Sequence, residues 1–255
     1  MSLILEDKVA IITGAGRGIG RAFALRFAEE GARLFLPDIS LERAENVANE
    51  IRNKGGRAVA IHTDISDEND TMKMAEMVMQ HYGRVDILVN NAAIYYGIEA
   101  KPWDTWAVKD WDQIFSVNVR GTWLCCKAIA PLMTKQSTGK IINVASDIFR
   151  SPDSQFFLAY ALSKASVYAL TQSLAAALGP SGINVNAIGP GYTASEASLN
   201  MRGSEQTFKG VVAGQFIKRR EEPTDVVGTG VFLASKDSDF ITGQLIFVNG
   251  GHILL

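Results

Sequence analysis

Lys8-Val9-Ala10-Ile11-Ile12-Thr13-Gly14-Ala15-Gly16-Arg17-Gly18-Ile19-Gly20 opens as a short apolar, β-branched run and closes in a glycine-rich turn. The run has strand length and no polar alternation, which suits a strand buried on both faces. Glycines let the backbone turn tightly and approach a ligand, and the helical pattern that starts near Gly18 offers free N–H groups to an anion. The spacing is Gly-x-x-x-Gly-x-Gly, not the Gly-x-Gly-x-x-Gly of many dinucleotide folds. A first strand, this turn and then a helix predict a nucleotide site around Gly14, Arg17, Gly18 and Ile19.

The same alternation continues along the chain. Strand-like runs lie at 8–13, 33–38, 58–63, 85–90, 139–145, 183–188 and 244–248, and helical patterns near 18–30, 41–54, 67–82, 110–134, 158–178 and 223–235. Strand and helix in turn predict an α/β fold: a doubly wound parallel sheet of about seven strands with helices on both faces. Neither a linker nor a composition shift divides the sequence, so 1–255 reads as a single domain with an irregular insert, a mobile substrate lid, at about 191–217.

With 255 residues, 47% hydrophobic and 20% charged, and a net charge of -2, the chain has material for a large core. That charge gives no electrostatic case for nucleic acid or an anionic membrane. No apolar run reaches the roughly 18 residues of a membrane span. The start "MSLILEDKVAIITG" lacks a basic region followed by a long apolar stretch, so a cytoplasmic protein is expected. Adjacent Cys125 and Cys126 read as reduced core residues, and His62, His81 and His252 are too scattered to found a metal site.

Ligands of open α/β sheets bind beyond the carboxyl ends of the strands. There the second strand ends in Asp38-Ile39, the third in Thr63-Asp64-Ile65, the fourth in Asn90-Asn91-Ala92-Ala93 and the fifth at Ser146. A carboxylate at Asp38 suits both ribose hydroxyls of NAD and repels the 2′-phosphate of NADP, while Arg17 pulls weakly the other way. Asp64 either accepts from an adenine amine or caps the next helix. Asn118, inside an apolar helix, needs partners for its amide and either kinks the helix or holds a water. Tyr160 and Lys164, four apart on a helix, share a face. A free phenol titrates near about 10, and a nearby cation lowers that value, so the pair suits proton transfer to a carbonyl or from an alcohol.

Together these residues resemble the short-chain dehydrogenase/reductase family over essentially the whole chain. The turn "TGAGRGIG" at 13–20 looks like the family's cofactor turn. "NNAA" at 90–93 resembles its Asn-Asn-Ala-Gly stretch with Ala93 for the last glycine, "PGYTAS" at 190–195 its nicotinamide segment, and "ITGQLIFVNGG" at 241–251 its last strand. Asn118, Ser146, Tyr160 and Lys164 fall at its catalytic tetrad. The resemblance implies NAD(H)-dependent interconversion of a secondary alcohol and a ketone or aldehyde. Tyr160 is then the general acid/base and Ser146 binds the substrate oxygen. Lys164 lowers the phenol pKa and holds the nicotinamide ribose, while Asn118 holds a water. It also implies a cofactor seat made by the glycine turn, Asp38, Ile39, Asp64, Ile65, Asn91 and Ala92, completed by Tyr160, Lys164, Pro190, Gly191 and Thr193. A homotetramer is expected, with 158–178, Phe247-Val248 and Ile253-Leu254-Leu255 as self-complementary segments.

Besides Ala93, three departures stand out: Ser195 for the usual threonine, Asn249 where an aspartate is common, and a longer interval from Ser146 to Tyr160. Met201, Phe208 and Phe216, with Tyr95, Tyr96 and Phe149, point to an apolar or aromatic substrate, and the stretches "NVASDIF" at 143–149 and "FITGQ" at 240–244 resemble family members that act on small cyclic or aryl secondary alcohols. The rival is a 3-oxoacyl-thioester reductase using NADPH. A non-catalytic nucleotide sensor has no need of Ser146, Tyr160 and Lys164 together.

Overall fold

In the computed structural model, which describes residues 3–254, seven parallel strands form one sheet in the order β3-β2-β1-β4-β5-β6-β7. They are β1 (Val9–Ile12), β2 (Arg33–Asp38), β3 (Arg57–His62), β4 (Ile87–Asn90), β5 (Gly139–Val144), β6 (Ile183–Pro190) and β7 (Leu245–Val248). Side chains alternate across a strand, and here both faces are covered. Ala10 and Ile12 of β1 face one apolar layer, while Val9 and Ile11 face the other. That double burial is why β1 reads as an unbroken apolar run.

The first layer takes α1 (Gly18–Glu29), α2 (Leu41–Asn53) and α9 (Pro223–Ala234). Phe23 lies so close to Gly230 that an added Cβ there would overlap the ring. The second takes α3 (Glu68–Tyr82), α5 (Thr122–Gln136) and part of α6 (Leu158–Leu178), with Cys125 and Cys126 free and buried in it. The strand order reverses between β1 and β4, so the crevice for a ligand opens there, at the strands' carboxyl ends.

Two expected elements differ. The helix read at 110–134 is α4 (Val108–Phe115), a π-helical turn at Ser116–Gly121, and then α5. The widened turn has a local cause: Thr122 Oγ1 donates to the Asn118 carbonyl at 2.8 Å, and the Asn118 amide is drawn to the chain at Ile94. The insert at 191–217 is not irregular, because it holds α7 (Glu196–Leu199), capped by Ser195, and α8 (Ser204–Gly214). The long interval after Ser146 is taken up by two 3-10 turns, Ile148–Arg150 and Pro152–Phe156. Phe247 packs inward near Phe149 and Leu254 is exposed; Leu255 lies outside the described residues. No helix among the described residues is long and apolar enough to cross a membrane.

Candidate active site

The glycine turn is held open by its neighbours. Gly14, at φ 65°, donates its N–H to the Pro37 carbonyl at 2.9 Å, and a Cβ on it would lie 2.9 Å from Ala92 Cα. Thr13 Oγ1 accepts from the N–H groups of Asn91 and Ala92, both at 3.0 Å, while Asn91 Nδ2 donates to the carbonyls of Thr13 and Gly14. Asn91 and Ala92 thus tie the end of β4 to the turn after β1. Ile19 is partly buried against the first apolar layer.

Asp38, 5% exposed, ends β2 with its carboxylate fixed: Oδ2 accepts from Gly16 N–H at 2.9 Å and Oδ1 from Ser40 N–H at 2.8 Å. Ile39 beside it is exposed. Arg17 lies with its guanidinium 5.0 Å from the centre of the Tyr96 ring, and the cation near Asp38 is instead Arg43, at 3.4 Å. Sequence reasoning missed Arg43; its place in the first turn of the helix after Asp38 was the available signal. Asp64 Oδ1 accepts from Ser66 N–H and Oγ, whereas α3 is capped by Asp67, which corrects the helix-cap alternative. Ile65 is buried against Gly121, so its side chain belongs to the core.

These residues fit a dinucleotide. The cradle lacks side chains where a Cβ on Gly14 or Gly16 would collide, and the Gly18 N–H already holds an anionic oxygen, from Glu196, at 2.9 Å.

The proton-handling groups meet beyond β5. Ser146 Oγ accepts from Ile148 N–H at 3.2 Å and faces the Tyr160 hydroxyl. Tyr160 and Lys164 lie one turn apart on α6, with Lys164 Nζ 5.8 Å from the centre of the phenol ring. Lys164 is 3% exposed and donates to the Val144 carbonyl at 2.7 Å; burial lowers its ammonium to about 8. The expected lowering of the phenol by Lys164 is not what the structure has. Burial pushes Tyr160 well up, Tyr95 and Asp147 add to it, and only Ser146 facing it pulls it down. Asn118 accepts from Ile94 N–H at 2.7 Å and donates to Ser163 Oγ at 3.0 Å, which brings β4's exit and α6 together.

On the third side, the Pro190 carbonyl accepts from Asp147 N–H, while Gly191 N–H and Thr193 Oγ1 both donate to the Glu221 carboxylate, at 3.0 and 2.8 Å. Burial raises Glu221 to about 7 against those two hydrogen bonds. Glu221 and Asp147 went unread because their partners are remote in sequence. Asp147 is raised mainly by burial; it accepts from Asn249 Nδ2 at 3.2 Å and lies 3.4 Å from His252 Nδ1. The asparagine at 249 thereby has a reason: an aspartate there would set two carboxylates together. Of the aromatic residues read as substrate contacts, Tyr95 packs on Tyr160 with ring centres 5.1 Å apart. Phe149 packs with Tyr168 and Phe247, Phe208 is buried under Tyr192, and Tyr96 and Phe216 are exposed. Met201 is half-buried in the bend between α7 and α8. Among the described residues no three His, Cys, Asp or Glu side chains are grouped to hold a metal ion.

A family model described as "Enoyl-(Acyl carrier protein) reductase" matches residues 14–252. The chain is 35% identical to the (2S)-[(R)-hydroxy(phenyl)methyl]succinyl-CoA dehydrogenase subunit of Thauera aromatica, covering 98% of both chains. It is likewise 35% identical to the 3-oxoacyl-[acyl-carrier-protein] reductase of Thermotoga maritima, covering 98% of this chain and 99% of the other. Among solved structures, a short-chain type dehydrogenase/reductase from Mycobacterium marinum superposes with a TM-score of 0.92 at 30% identity, over 100% of this chain and 98% of that one. With the glycine turn, the sheet order and the Ser146, Tyr160 and Lys164 cluster in place, these matches settle the kinship: the chain is an oxidoreductase of the short-chain dehydrogenase/reductase family.

Proposed function

We propose that the protein is an NAD(H)-dependent dehydrogenase that interconverts a secondary alcohol with a ketone or aldehyde. The observation that carries this reading is the meeting of Ser146, Tyr160 and Lys164 beyond β5, the last two on a helix that Asn118 ties to the chain leaving β4. When bound, the nicotinamide supplies or accepts the hydride. The chain's own groups handle the proton. Ser146 donates to the substrate oxygen, and Tyr160 gives a proton to that oxygen in reduction or takes it in oxidation. Lys164 is protonated below about 8, and its Nζ, held at the Val144 carbonyl, would bind a ribose hydroxyl. Asn118 holds the chain at Ile94 against α6 and places a water for proton exchange with Lys164.

NAD is favoured over NADP by Asp38. Two like charges about 4 Å apart at an effective dielectric of about 20 repel by about 4 kcal/mol, more than the roughly 1 kcal/mol an exposed arginine returns. Pro190, Gly191 and Thr193 would line the nicotinamide side, Asp64 and the exposed Ile39 the adenine side. The substrate is small and cyclic or aromatic, because Tyr95 lies on Tyr160 with Ile94 and Trp106 in the same apolar cluster. The Thauera relative's name carries a phenyl carbinol, there borne on a succinyl-coenzyme A, which supports the aromatic part of this reading. The segment 191–217 would act as the lid. The same reading takes the protein as a cytoplasmic homotetramer, with exposed Trp123 of α5 and Leu162 of α6 among the apolar residues available for association; sedimentation would test it.

A second reading, reduction of 3-oxoacyl thioesters with NADPH, is favoured by the Thermotoga relative. Reduced-cofactor absorbance against ketones, aldehydes and 3-oxoacyl thioesters separates the two. Consumption of NADH with aryl or cyclic ketones is expected. Consumption mainly of NADPH with thioesters would replace the first reading by the second, and tight NADH binding without turnover on the panel would favour a sensor.

A further inference from the structure

Helix α1 begins without a cap of its own. Its N-cap residue, Arg17, makes no capping hydrogen bond with its side chain, and the first turn holds no acidic residue. A helix start of this kind leaves free N–H groups and a partial positive charge. The anion that meets it comes from far along the chain: Glu196 Oε2 accepts from Gly18 N–H at 2.9 Å, across 178 positions. Ser195 comes with it, its Cβ 3.4 Å from the place a Gly18 side chain would take. Glu196 opens α7, a four-residue helix near whose end Tyr192 Oη donates to the Ser198 carbonyl at 3.4 Å; Tyr95, whose ring packs on Tyr160, lies beside both Ser198 and Tyr192.

We propose that Glu196 is an internal counter-anion of the cofactor site: its carboxylate holds the N–H that a dinucleotide diphosphate would take, and cofactor binding is an exchange of one anion for the other. This rests on reading the glycine turn as a dinucleotide site. A carboxylate and a diphosphate cannot share one N–H donor without strong like-charge repulsion, so Glu196 must leave. Its departure frees α7, and with it Ser198 and Tyr192. The seat therefore keeps its helix start satisfied, and cofactor arrival is reported to the substrate wall.

The test is a titration of NADH, of ADP-ribose and of adenosine into the wild-type chain, E196Q and E196A, followed by protein fluorescence or calorimetry, with a thermal melt of each protein. Glutamine keeps the shape and removes the charge, while alanine removes the contact. NADH and ADP-ribose should bind both variants roughly five- to tenfold more tightly, because neither variant sets a charge-assisted hydrogen bond against the diphosphate. Adenosine, which has no diphosphate, should bind all three alike. E196A should also melt a few degrees lower, as expected for a lost helix cap. A permanent structural cap predicts lower stability with unchanged or weaker NADH binding, and that result would overturn the exchange. If NADH and ADP-ribose bind none of the three proteins, the cofactor reading itself falls, and this one with it.

Discussion

Asp38→Asn removes one negative charge at the end of β2 and leaves the shape of the side chain intact. In the native chain the two carboxylate oxygens accept from Gly16 and Ser40 N–H groups at 2.9 and 2.8 Å, and Arg43 Nη2 lies 3.4 Å away. Asparagine keeps only one of those acceptors, because an amide nitrogen cannot accept, and stability should fall by about 1–3 kcal/mol. Cofactor choice should change more. The repulsion between Asp38 and a 2′-phosphate, about 4 kcal/mol at full charge, is partly offset by Arg43. Taking roughly half, about 2 kcal/mol, the preference for NADH over NADPH should shrink by about 30-fold. Arg43, released from Asp38, would then add a donor for the phosphate. The assay is kcat/KM for each cofactor with a single ketone in both proteins, beside a thermal melt. An unchanged ratio in a variant that still folds would refute the reasoning, as would a wild-type chain that already prefers NADPH.

Three further outcomes follow from the same geometry. Tyr160→Phe should reduce turnover by about 10²–10⁴-fold while NADH affinity stays within about twofold, read by single-turnover rates and fluorescence titration. Glu221 is raised from its ordinary value to about 7, so its contribution to stability is present below the unfolded value near 4.5 and lost as pH rises through about 7. Glu221→Gln should flatten the fall in melting temperature across that window, and an equally steep fall in the variant would assign it to other groups. Gly230→Ala puts a methyl into the Phe23 ring between α1 and α9, and should cost about 1–3 kcal/mol in chemical denaturation without changing NADH affinity.

The sheet was legible because its strands obey one rule: covered on both faces, they show as short apolar runs, and all seven lie where the sequence places them. The residues of the glycine turn, Asp38, Ser146, Tyr160 and Lys164 were legible because each follows a strand end or shares a helix face. What failed depends on contacts that periodicity cannot carry. The π turn at Ser116–Gly121 keeps an apolar pattern, and only the pull of Ile94 on Asn118 reveals it. α7 and α8 hid in a glycine- and serine-rich segment that reads as loop. Tyr160's environment was misjudged because spacing locates Lys164 but not the Val144 carbonyl that takes its ammonium, nor the burial that governs the phenol. Glu221 and Glu196 went unread, because the N–H groups they meet lie far away in sequence.

Those two acids and Asp38 obey one electrostatic rule. Backbone N–H groups left free at turns meet carboxylates: Gly16 and Ser40 meet Asp38, Gly18 meets Glu196, and Gly191 meets Glu221. Each donor would also suit a phosphate or a polar ligand atom, so the acids decide which ligands are admitted. Asp38 and Glu221 are buried, hydrogen-bonded at three and two points respectively, and they cannot turn away from an approaching anion. Glu196 projects from a four-residue helix at an exposed contact, so it can yield. A cofactor whose only anionic part reaches the Gly18 N–H displaces a movable acid, whereas one with a further phosphate at the end of β2 meets a fixed one. On this account the chain discriminates by where its carboxylates are anchored, and exchanging the two properties, freeing the acid at 38 or fixing the one at 196, should exchange the consequences.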